Sequence, residues 1–270
     1  MIGEDCQTSL ESIIALNMTL NGNLDPALTD IDSERNLSKS LVSISTALST
    51  GNTQVSIGSG LMITTNGFIL TAYHNIKGVE EEWKRIGREN LLTESNKDQW
   101  MREILEKYYV KDQNGNSYPI DITFWGTNPD YDVALIKAVL NKRPRPIKFK
   151  VLKEPLQNGD EIRLVGFKNH ALYTQLGKVT SNHYDAPITD DKNSPPIVTY
   201  DTFLTDAYSV PGFSGGVFID MEGRLAGLSV YGQKSNLVSQ LAYAGGAKYD
   251  ALDYMIKNAA YSLGKRQLES

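Results

Sequence analysis

The chain has 270 residues, of which 40% are hydrophobic and 22% charged, a composition typical of a globular protein with one large or two small domains. Its 27 basic and 32 acidic side chains give a net charge of −5 without a basic block, so we predict no nucleic-acid partner. No apolar run approaches the roughly 20 residues that span a bilayer, so we predict no membrane span. The single cysteine, Cys6, excludes an internal disulfide and a cysteine-rich zinc site.

The N-terminus bears on the compartment of the protein. Met1 is followed by Ile-Gly-Glu-Asp, not by a basic and then apolar stretch, so no signal peptide is visible. As written, the sequence predicts a cytoplasmic protein. An extracytoplasmic location is expected instead if a signal peptide was removed before residue 1.

Many short apolar runs closed by turn residues predict β-strands along the middle of the chain. These runs are 41–46, 59–64, 67–71, 132–139, 161–166, 197–203, 216–219 and 225–231. Asn-Gly and Gln-Asn-Gly-Asp signals separate them, a pattern typical of an antiparallel barrel or sandwich. A weak break at 141–146 divides the strands into two halves of similar content.

Three segments have apolar residues at helical spacing instead. We predict an N-terminal helical extension at 1–37, a helical insertion at 79–109 and a C-terminal helix at 248–270. The strands then fall into a first unit at 38–145 and a second unit at 146–247.

Three short segments contain residues that can carry chemistry. The first ends at His74, which follows the apolar run 67–73; a strand that delivers a histidine to a turn can hold the imidazole at a cleft. The second begins at Asp132, which opens an apolar strand, and a carboxylate there can be stabilised by an imidazole N–H. Taken alone, such a histidine is more often structural, and such an aspartate more often initiates a turn.

The third segment is a glycine-rich loop around Ser214, with the sequence Gly-Phe-Ser-Gly-Gly at 212–216. Such a loop can expose a hydroxyl without a Cβ clash and can bring two backbone N–H groups to one point. A nucleophile beside an oxyanion hole needs both features, although a glycine-rich hairpin loop is the simpler interpretation of the segment alone. The order His, Asp, Ser on an all-β pattern is that of the chymotrypsin type.

With these segments the chain resembles the trypsin/chymotrypsin-fold serine proteases, and it is closer to the bacterial HtrA (Deg) type than to the digestive enzymes. The matching stretches are 59–63, 69–74, 132–137 and 205–216. The resemblance covers about 40–260 and implies an all-β fold of two antiparallel six-stranded β-barrels with N-terminal, inserted and C-terminal helices. The active site would lie in the cleft between the barrels.

The resemblance also implies roles for individual residues. Ser214 would be the nucleophile, His74 the general base and then acid, and Asp132 the orienting carboxylate. The backbone N–H groups of Gly212 and Ser214 would form the oxyanion hole. The implied activity is that of a serine endopeptidase on a protein or peptide substrate, without a cofactor. The alternative is a non-catalytic peptide-binding module, which would need the cleft but not all three residues.

Some features depart from the family pattern. Phe213 stands where the HtrA type usually has Asn and the digestive enzymes have Asp, so we expect no zymogen activation by ion pairing and a less firmly specified oxyanion loop. Such a loop could stay latent until a substrate or partner orders it.

The insertion at 79–109 begins five residues after His74, and we expect either a surface insertion or a lid. A protein partner could bind there or at the N-terminal helix. The sequence ends after one predicted helix, so we expect no PDZ domain.

By the same resemblance, Tyr208 would form the floor of the S1 pocket, since it lies six residues before the serine. Leu228, Ser229 and Val230 would form the opposite wall, and Phe213 would also contact the substrate. An aromatic floor and a small apolar wall predict a shallow pocket for small or medium apolar P1 side chains, not for Lys or Arg.

The two remaining histidines, His170 and His183, lie in polar loop sequence. Neither has a second ligand at i+3 or i+4, so we predict no metal site and expect both side chains to be solvated or structural.

Overall fold

Two closed antiparallel barrels of six strands each make up most of the described part of the protein, which confirms the predicted all-β fold. The structure is a computed structural model, and within its described ranges no helix has the length and hydropathy needed to cross a membrane. The described residues are 30–47, 54–64, 67–77, 108–128, 131–140, 149–152, 154–188, 197–234 and 242–248. Most of the predicted insertion at 79–109, the predicted C-terminal helix beyond Lys248 and the first 29 residues lie outside them.

The first barrel closes through the pairing of its first and fourth strands. Its strands are β1 (Leu41–Ala47), β2 (Gln54–Met62), β3 (Phe68–Ala72), β4 (Tyr108–Lys111), β5 (Ser117–Asn128) and β6 (Val133–Ala138). Their order around the barrel is β1-β2-β3-β6-β5-β4. The prediction of helix at Tyr108 and Tyr109 is wrong, because both residues begin β4 and pair with Thr46 and Ser45 of β1. Pairing with a distant strand outweighs the local helical spacing there.

The second barrel repeats this architecture. Its strands are β7 (Glu161–Lys168), β8 (Ala171–Ile188), β9 (Ile197–Tyr208), β10 (Val217–Asp220), β11 (Leu225–Lys234) and β12 (Ala242–Lys248). Their order is β10-β11-β12-β9-β8-β7, and the pairing of β10 with β7 closes the barrel. β8 is 18 residues long, and its register with β9 shifts at three places, which lets one long strand bend around the barrel.

The two barrels share an apolar layer that fixes their ends against each other. All five residues of β3 are buried, because the strand is covered on both faces. Ile69 belongs to the interior of the first barrel, whereas Phe68 and Leu70 pack in a cluster with Val165 and Val217 of the second barrel. The end of β3 is therefore held at the junction of the barrels.

One helix, α1 (Asp30–Ser40), packs against both barrels. Its Leu37 side chain is buried in the layer between the barrels, and its Ser33 hydroxyl donates to a carbonyl of the β10–β11 turn at 2.7 Å. Glu34 accepts from the Arg163 guanidinium at 2.5 Å. The described end of the N-terminal extension is thus engaged with the chain's own barrels, and it continues three residues past the predicted boundary at 37.

Candidate active site

His74 lies in a single turn of 3-10 helix, Tyr73–Asn75, that begins where β3 ends. Its Nδ1 is 2.6 Å from Oδ2 of Asp132, and its backbone N–H donates to Oδ1 of the same carboxylate at 2.9 Å. The His74 side chain is 39% exposed and that of Asp132 only 3%. Because an ionised carboxylate only accepts hydrogen bonds, Nδ1 carries the proton of this pair. The lone pair of Nε2 is then free to accept a proton from a neighbouring group.

The backbone of Asp132 adopts the left-handed conformation, with a φ of 50°. Aspartate is one of the few residues besides glycine that adopt this region readily. The Asp132 carbonyl accepts the N–H of Tyr73 at 2.9 Å, while the carboxylate turns to His74. Since β6 begins at Val133, directly opposite the last residue of β3, the ends of two adjacent strands hold this pair.

Ser214 lies in a loop of two successive tight turns between β9 and β10. One turn is closed by a hydrogen bond of 3.0 Å from the Phe213 N–H, and the next by a hydrogen bond of 2.8 Å from the Gly216 N–H. The third residue of each turn is a glycine with positive φ, Gly212 at 102° and Gly215 at 80°. Type II turns require this conformation at that position, which explains the glycine spacing around the serine.

The N–H groups of Gly212 and Ser214, on either side of Phe213, differ from those of their neighbours in the loop. The N–H groups of Phe213, Gly215 and Gly216 all donate to carbonyls of the protein. For the N–H groups of Gly212 and Ser214, no acceptor is recorded in the part of the chain that the structure describes. These are the two groups that the sequence predicts as an oxyanion hole, and donors of this kind stabilise a negative carbonyl oxygen.

Both barrels hold the Ser214 loop. In the second barrel, the Gly215 N–H donates to the Ser229 carbonyl of β11 at 2.6 Å, and the Ser229 N–H returns a bond of 2.7 Å to the loop. In the first barrel, the Ser59 N–H of β2 donates to the Ser214 carbonyl at 2.7 Å. The Asn75 side-chain amide donates to the same carbonyl at 2.8 Å. The structure therefore brings His74, Asp132 and Ser214 to the junction of the barrels.

Sequence reasoning gave no role to Ser59, Thr71 or Asn75. The Ser59 hydroxyl donates to the Gly212 carbonyl at 2.7 Å, and the Thr71 hydroxyl donates to the Ser59 carbonyl at 2.7 Å. Two signals were available in the sequence: Ser59 is flanked by two glycines, and the polar Asn75 directly follows His74.

The predicted specificity residues lie in different environments. Tyr208 ends β9 and is 40% exposed, so its ring is accessible to a ligand. Leu228, Ser229 and Val230 of β11 are buried. Phe213 is 0% exposed and belongs to the core of the second barrel. Of these five predicted residues, only Tyr208 therefore has an accessible side chain.

The environment of Phe213 corrects the reasoning that its loop is loosely held. The ring packs in one cluster with Leu164, Phe203 and Phe218, the last two in edge-to-face contact at 4.9 Å. Burial of a phenyl ring anchors the loop through apolar contacts, where a polar residue would use hydrogen bonds. At this position an apolar anchor thus takes the place of the family's polar group, and it is visible only once the barrel has formed.

His170 lies at the tip of the β7–β8 hairpin. Asn169 and His170 have φ values of 50° and 65°, as a two-residue hairpin turn with positive φ at both positions requires. The His170 Nδ1 is 3.3 Å from the Ser43 hydroxyl of β1, which agrees with a structural role for this side chain.

A family model described as a trypsin-like peptidase domain matches residues 58–228. This match covers more than half of the chain and includes His74, Asp132 and Ser214. A search among curated protein sequences finds no match.

Solved structures of two proteases have a similar fold. The protease domain of MamO from Magnetospirillum magneticum, in its apo form, is 17% identical with a TM-score of 0.53, over 80% of this chain and 95% of that chain. The active form of the Rv3671c protease from M. tuberculosis is 15% identical with a TM-score of 0.57, over 86% of each chain. An inactive form of that protease is 16% identical with a TM-score of 0.55, over 87% of this chain and 96% of that chain. The structures show the fold, and the family match shows that this chain belongs to the trypsin-like peptidase domain family.

Proposed function

We propose that the protein is a serine endopeptidase that hydrolyses peptide bonds through an acyl-enzyme on Ser214. The observation that carries the proposal is the pair of His74 Nδ1 and the buried Asp132 Oδ2, 2.6 Å apart, beside the loop of Ser214. A peptidase domain acts on peptides or proteins, so the substrate is of that class. A module that only binds peptides has no need to fix the tautomer of a histidine.

In the acylation step, Ser214 is the nucleophile and His74 acts first as the base and then as the acid. Ser214 Oγ attacks the carbonyl carbon, and its proton passes to Nε2 of His74. The Asp132 carboxylate stabilises the resulting imidazolium, while the N–H groups of Gly212 and Ser214 stabilise the oxyanion. The C–N bond then breaks, and His74 gives its proton to the leaving amine.

Deacylation repeats the sequence with water as the nucleophile. His74 accepts a proton from water, which attacks the ester carbon of the acyl-enzyme. The C–O bond to Ser214 breaks, the serine regains its proton from His74, and the acid product leaves.

The proposal includes a latent resting state in which the Ser214 loop is held in place, and a substrate or partner brings the Ser214 hydroxyl into line with the His74 ring. Among the described residues, the Ser214 hydroxyl and the His74 ring share no hydrogen bond. Such bonds often form only in the substrate complex. The M. tuberculosis protease of similar fold occurs in an active and an inactive form, which supports the view that this fold accommodates both states.

The S1 pocket in this proposal takes small or medium apolar P1 side chains. The accessible ring of Tyr208 supports an aromatic floor. The Tyr208 side chain provides no carboxylate to pair with a Lys or Arg side chain.

Digestion of a peptide library, with the new termini identified by mass spectrometry, tests the proposal. Ser214→Ala is compared with Ser117→Ala, an exposed serine of β5 that serves as the matched control. We expect wild type and Ser117→Ala to generate the same termini with apolar P1 residues, and Ser214→Ala to generate none. Peptide binding by wild type and Ser214→Ala alike, without cleavage by either, would support the peptide-binding module instead. Dominance of Lys or Arg at P1 would contradict the proposed pocket.

A further inference from the structure

Three consecutive residues at the end of β3 each hold a different part of the candidate triad. The Tyr73 N–H donates to the Asp132 carbonyl at 2.9 Å, and the next residue, His74, bonds the Asp132 carboxylate. The third residue, Asn75, donates its side-chain amide to the Ser214 carbonyl at 2.8 Å. A single turn of backbone therefore links the base, the carboxylate and the segment of the nucleophile.

Both N–H bonds of the Asn75 amide are used in this arrangement. One points to the Ser214 carbonyl, and the other to the Thr71 hydroxyl at 3.0 Å. Thr71 donates its own proton to the Ser59 carbonyl, so its oxygen acts as an acceptor toward Asn75. Because a carbonyl oxygen can only accept, the amide nitrogen and not the amide oxygen must face Ser214.

The Ser214 carbonyl receives two donors, and both come from the first barrel. Besides the Asn75 amide, the Ser59 N–H reaches it at 2.7 Å. A carbonyl oxygen has two lone pairs, so these donors fix the plane of the peptide that follows Ser214. That plane is attached to the Cα that carries the hydroxyl, so its orientation constrains the direction in which the Ser214 side chain leaves the backbone toward the His74 ring.

The neighbouring residues leave little free space around the Asn75 side-chain amide. Asn75 is only 6% exposed. A Cβ on Gly58 would lie 2.5 Å from its Oδ1, and a Cβ on Gly215 would overlap the Ser59 carbonyl and the Thr71 hydroxyl. Glycines at both positions allow the amide to reach Ser214 directly.

We propose that Asn75 is a positioning residue that sets the distance between the base and the nucleophile across the junction of the barrels. The inference rests on the proposed peptidase function, and it adds a residue that acts through the Ser214 backbone without touching the substrate. Its loss would slow the attack by the Ser214 hydroxyl and leave the binding of the substrate side chains unchanged.

The test is the kinetics of labelling by a fluorophosphonate probe, separated into the maximal rate kinact and the half-saturating concentration KI. Asn75→Ala is compared with wild type and with Ser33→Ala. The latter removes the two hydrogen bonds of the buried Ser33 hydroxyl, to the Gly223 carbonyl and from the Lys150 N–H, both 2.7 Å and away from the site. We expect Asn75→Ala to lower kinact about 10- to 100-fold at unchanged KI, since small misplacements of reacting groups cost rates of this order. Ser33→Ala should label at the wild-type rate, even though each variant loses the two hydrogen bonds of a buried polar side chain.

Asn75→Asp gives a signature that a merely structural role would not produce. An ionised carboxylate cannot donate to the Ser214 carbonyl, whereas a protonated carboxyl group can. With each rate divided by that of wild type at the same pH, labelling of Asn75→Asp should recover as the pH is lowered. The same ratio for Asn75→Ala should stay constant with pH.

The outcomes separate this inference from the proposed function. If wild type labels on Ser214 and Asn75→Ala labels equally fast, the positioning role is overturned and the peptidase function stands. If wild type does not label at all, the peptidase function fails under those conditions. Crystal structures of wild type and Asn75→Ala then decide the inference: it requires the Ser214 carbonyl to turn in the variant, and an unchanged carbonyl overturns it.

Discussion

The Nδ1 of His74 lies 2.6 Å from Oδ2 of Asp132, and the other oxygen of that carboxylate accepts the backbone N–H of His74 at 2.9 Å. The same carboxylate thus fixes both the ring and the backbone of the histidine. Nearly complete burial of Asp132 keeps water from competing for either bond. A histidine held in this way presents Nε2 in a constant direction and in the tautomer that accepts a proton.

Asp132→Asn removes the charge of this partner while preserving its size. Asparagine also tolerates the positive φ of this position, so we expect the backbone to stay in place. The amide would favour the wrong imidazole tautomer, and we expect the rate of peptide hydrolysis or probe labelling to fall about 10⁴-fold. Asp160→Asn, in an exposed turn of the second barrel, is the control and should retain activity. Full activity of Asp132→Asn would refute the orienting role.

Gly215→Ala tests the turn that presents Ser214. Gly115 provides a matched control, because its φ of 81° nearly equals the 80° of Gly215 and a Cβ there meets nothing within 4 Å. Gly115→Ala should cost about 1–2 kcal/mol of unfolding free energy through backbone strain alone, with activity retained. Gly215→Ala adds a clash with Ser59 and should abolish probe labelling. Equal effects of the two substitutions on stability and labelling would contradict the described turn.

Phe213→Ala tests whether the buried ring anchors the loop. Removal of a fully buried phenyl ring leaves a cavity, and we expect a loss of about 3–5 kcal/mol in urea unfolding, together with slower labelling of Ser214. Tyr173→Ala removes a ring that is 45% exposed and should change the unfolding free energy by no more than about 0.5 kcal/mol. A negligible effect of Phe213→Ala would show that the loop does not depend on this contact.

Asp112 gives the β4–β5 turn a pH-dependent stability. Its carboxylate accepts the N–H groups of Asn114 and Asn116, both at 2.9 Å, and the hydroxyl of Tyr118 at 3.1 Å. Burial raises the pKa of the Asp112 carboxyl, but the hydrogen bonds from Asn116, Tyr118 and Asn114 outweigh burial and hold this pKa below its ordinary value of 3.8. The ionised form is therefore favoured in the folded state.

The sign of the pH effect follows from this lowered pKa. The stabilisation is fully present above 3.8 and is lost as the pH falls through the folded-state pKa. At pH 7, Asp112→Ala should lower the unfolding free energy by about 1 kcal/mol, and its difference from wild type should shrink toward pH 3. Urea unfolding across this range measures the difference, with Asp112→Asn as an uncharged control. A difference that is constant with pH would contradict the account.

The sequence predicted the elements whose own residues determine their structure. β3, β6 and β10 are continuous apolar runs that end at turn residues, and the structure has strands there. β8 was missed because exposed polar residues such as Thr174 and Lys178 interrupt its apolar pattern. Strand formation in β8 depends on pairing with β7 and β9, which no local window contains.

The residues of the candidate site fall into the same two groups, those that the local sequence identifies and those whose role depends on the folded barrels. His74, Asp132 and Ser214 could be found because each stands at the edge of a predicted strand, in a family pattern. The role of Asn75 could not, because its bond to the Ser214 carbonyl spans 139 residues and requires both barrels to be in place. The burial of the Phe213 ring likewise depends on aromatic neighbours from β9 and β10.

The central claim is that Ser214 is an activated nucleophile, and labelling by a fluorophosphonate probe tests it most directly. Purified wild type, Ser214→Ala and His74→Ala are treated with the probe, and the modified residue is located by peptide mapping. The account predicts one adduct, on Ser214 of wild type, and a loss of labelling in both variants on the order of 10⁴-fold or more. A wild-type protein that folds, binds peptide and yet takes up no probe on Ser214 would contradict it.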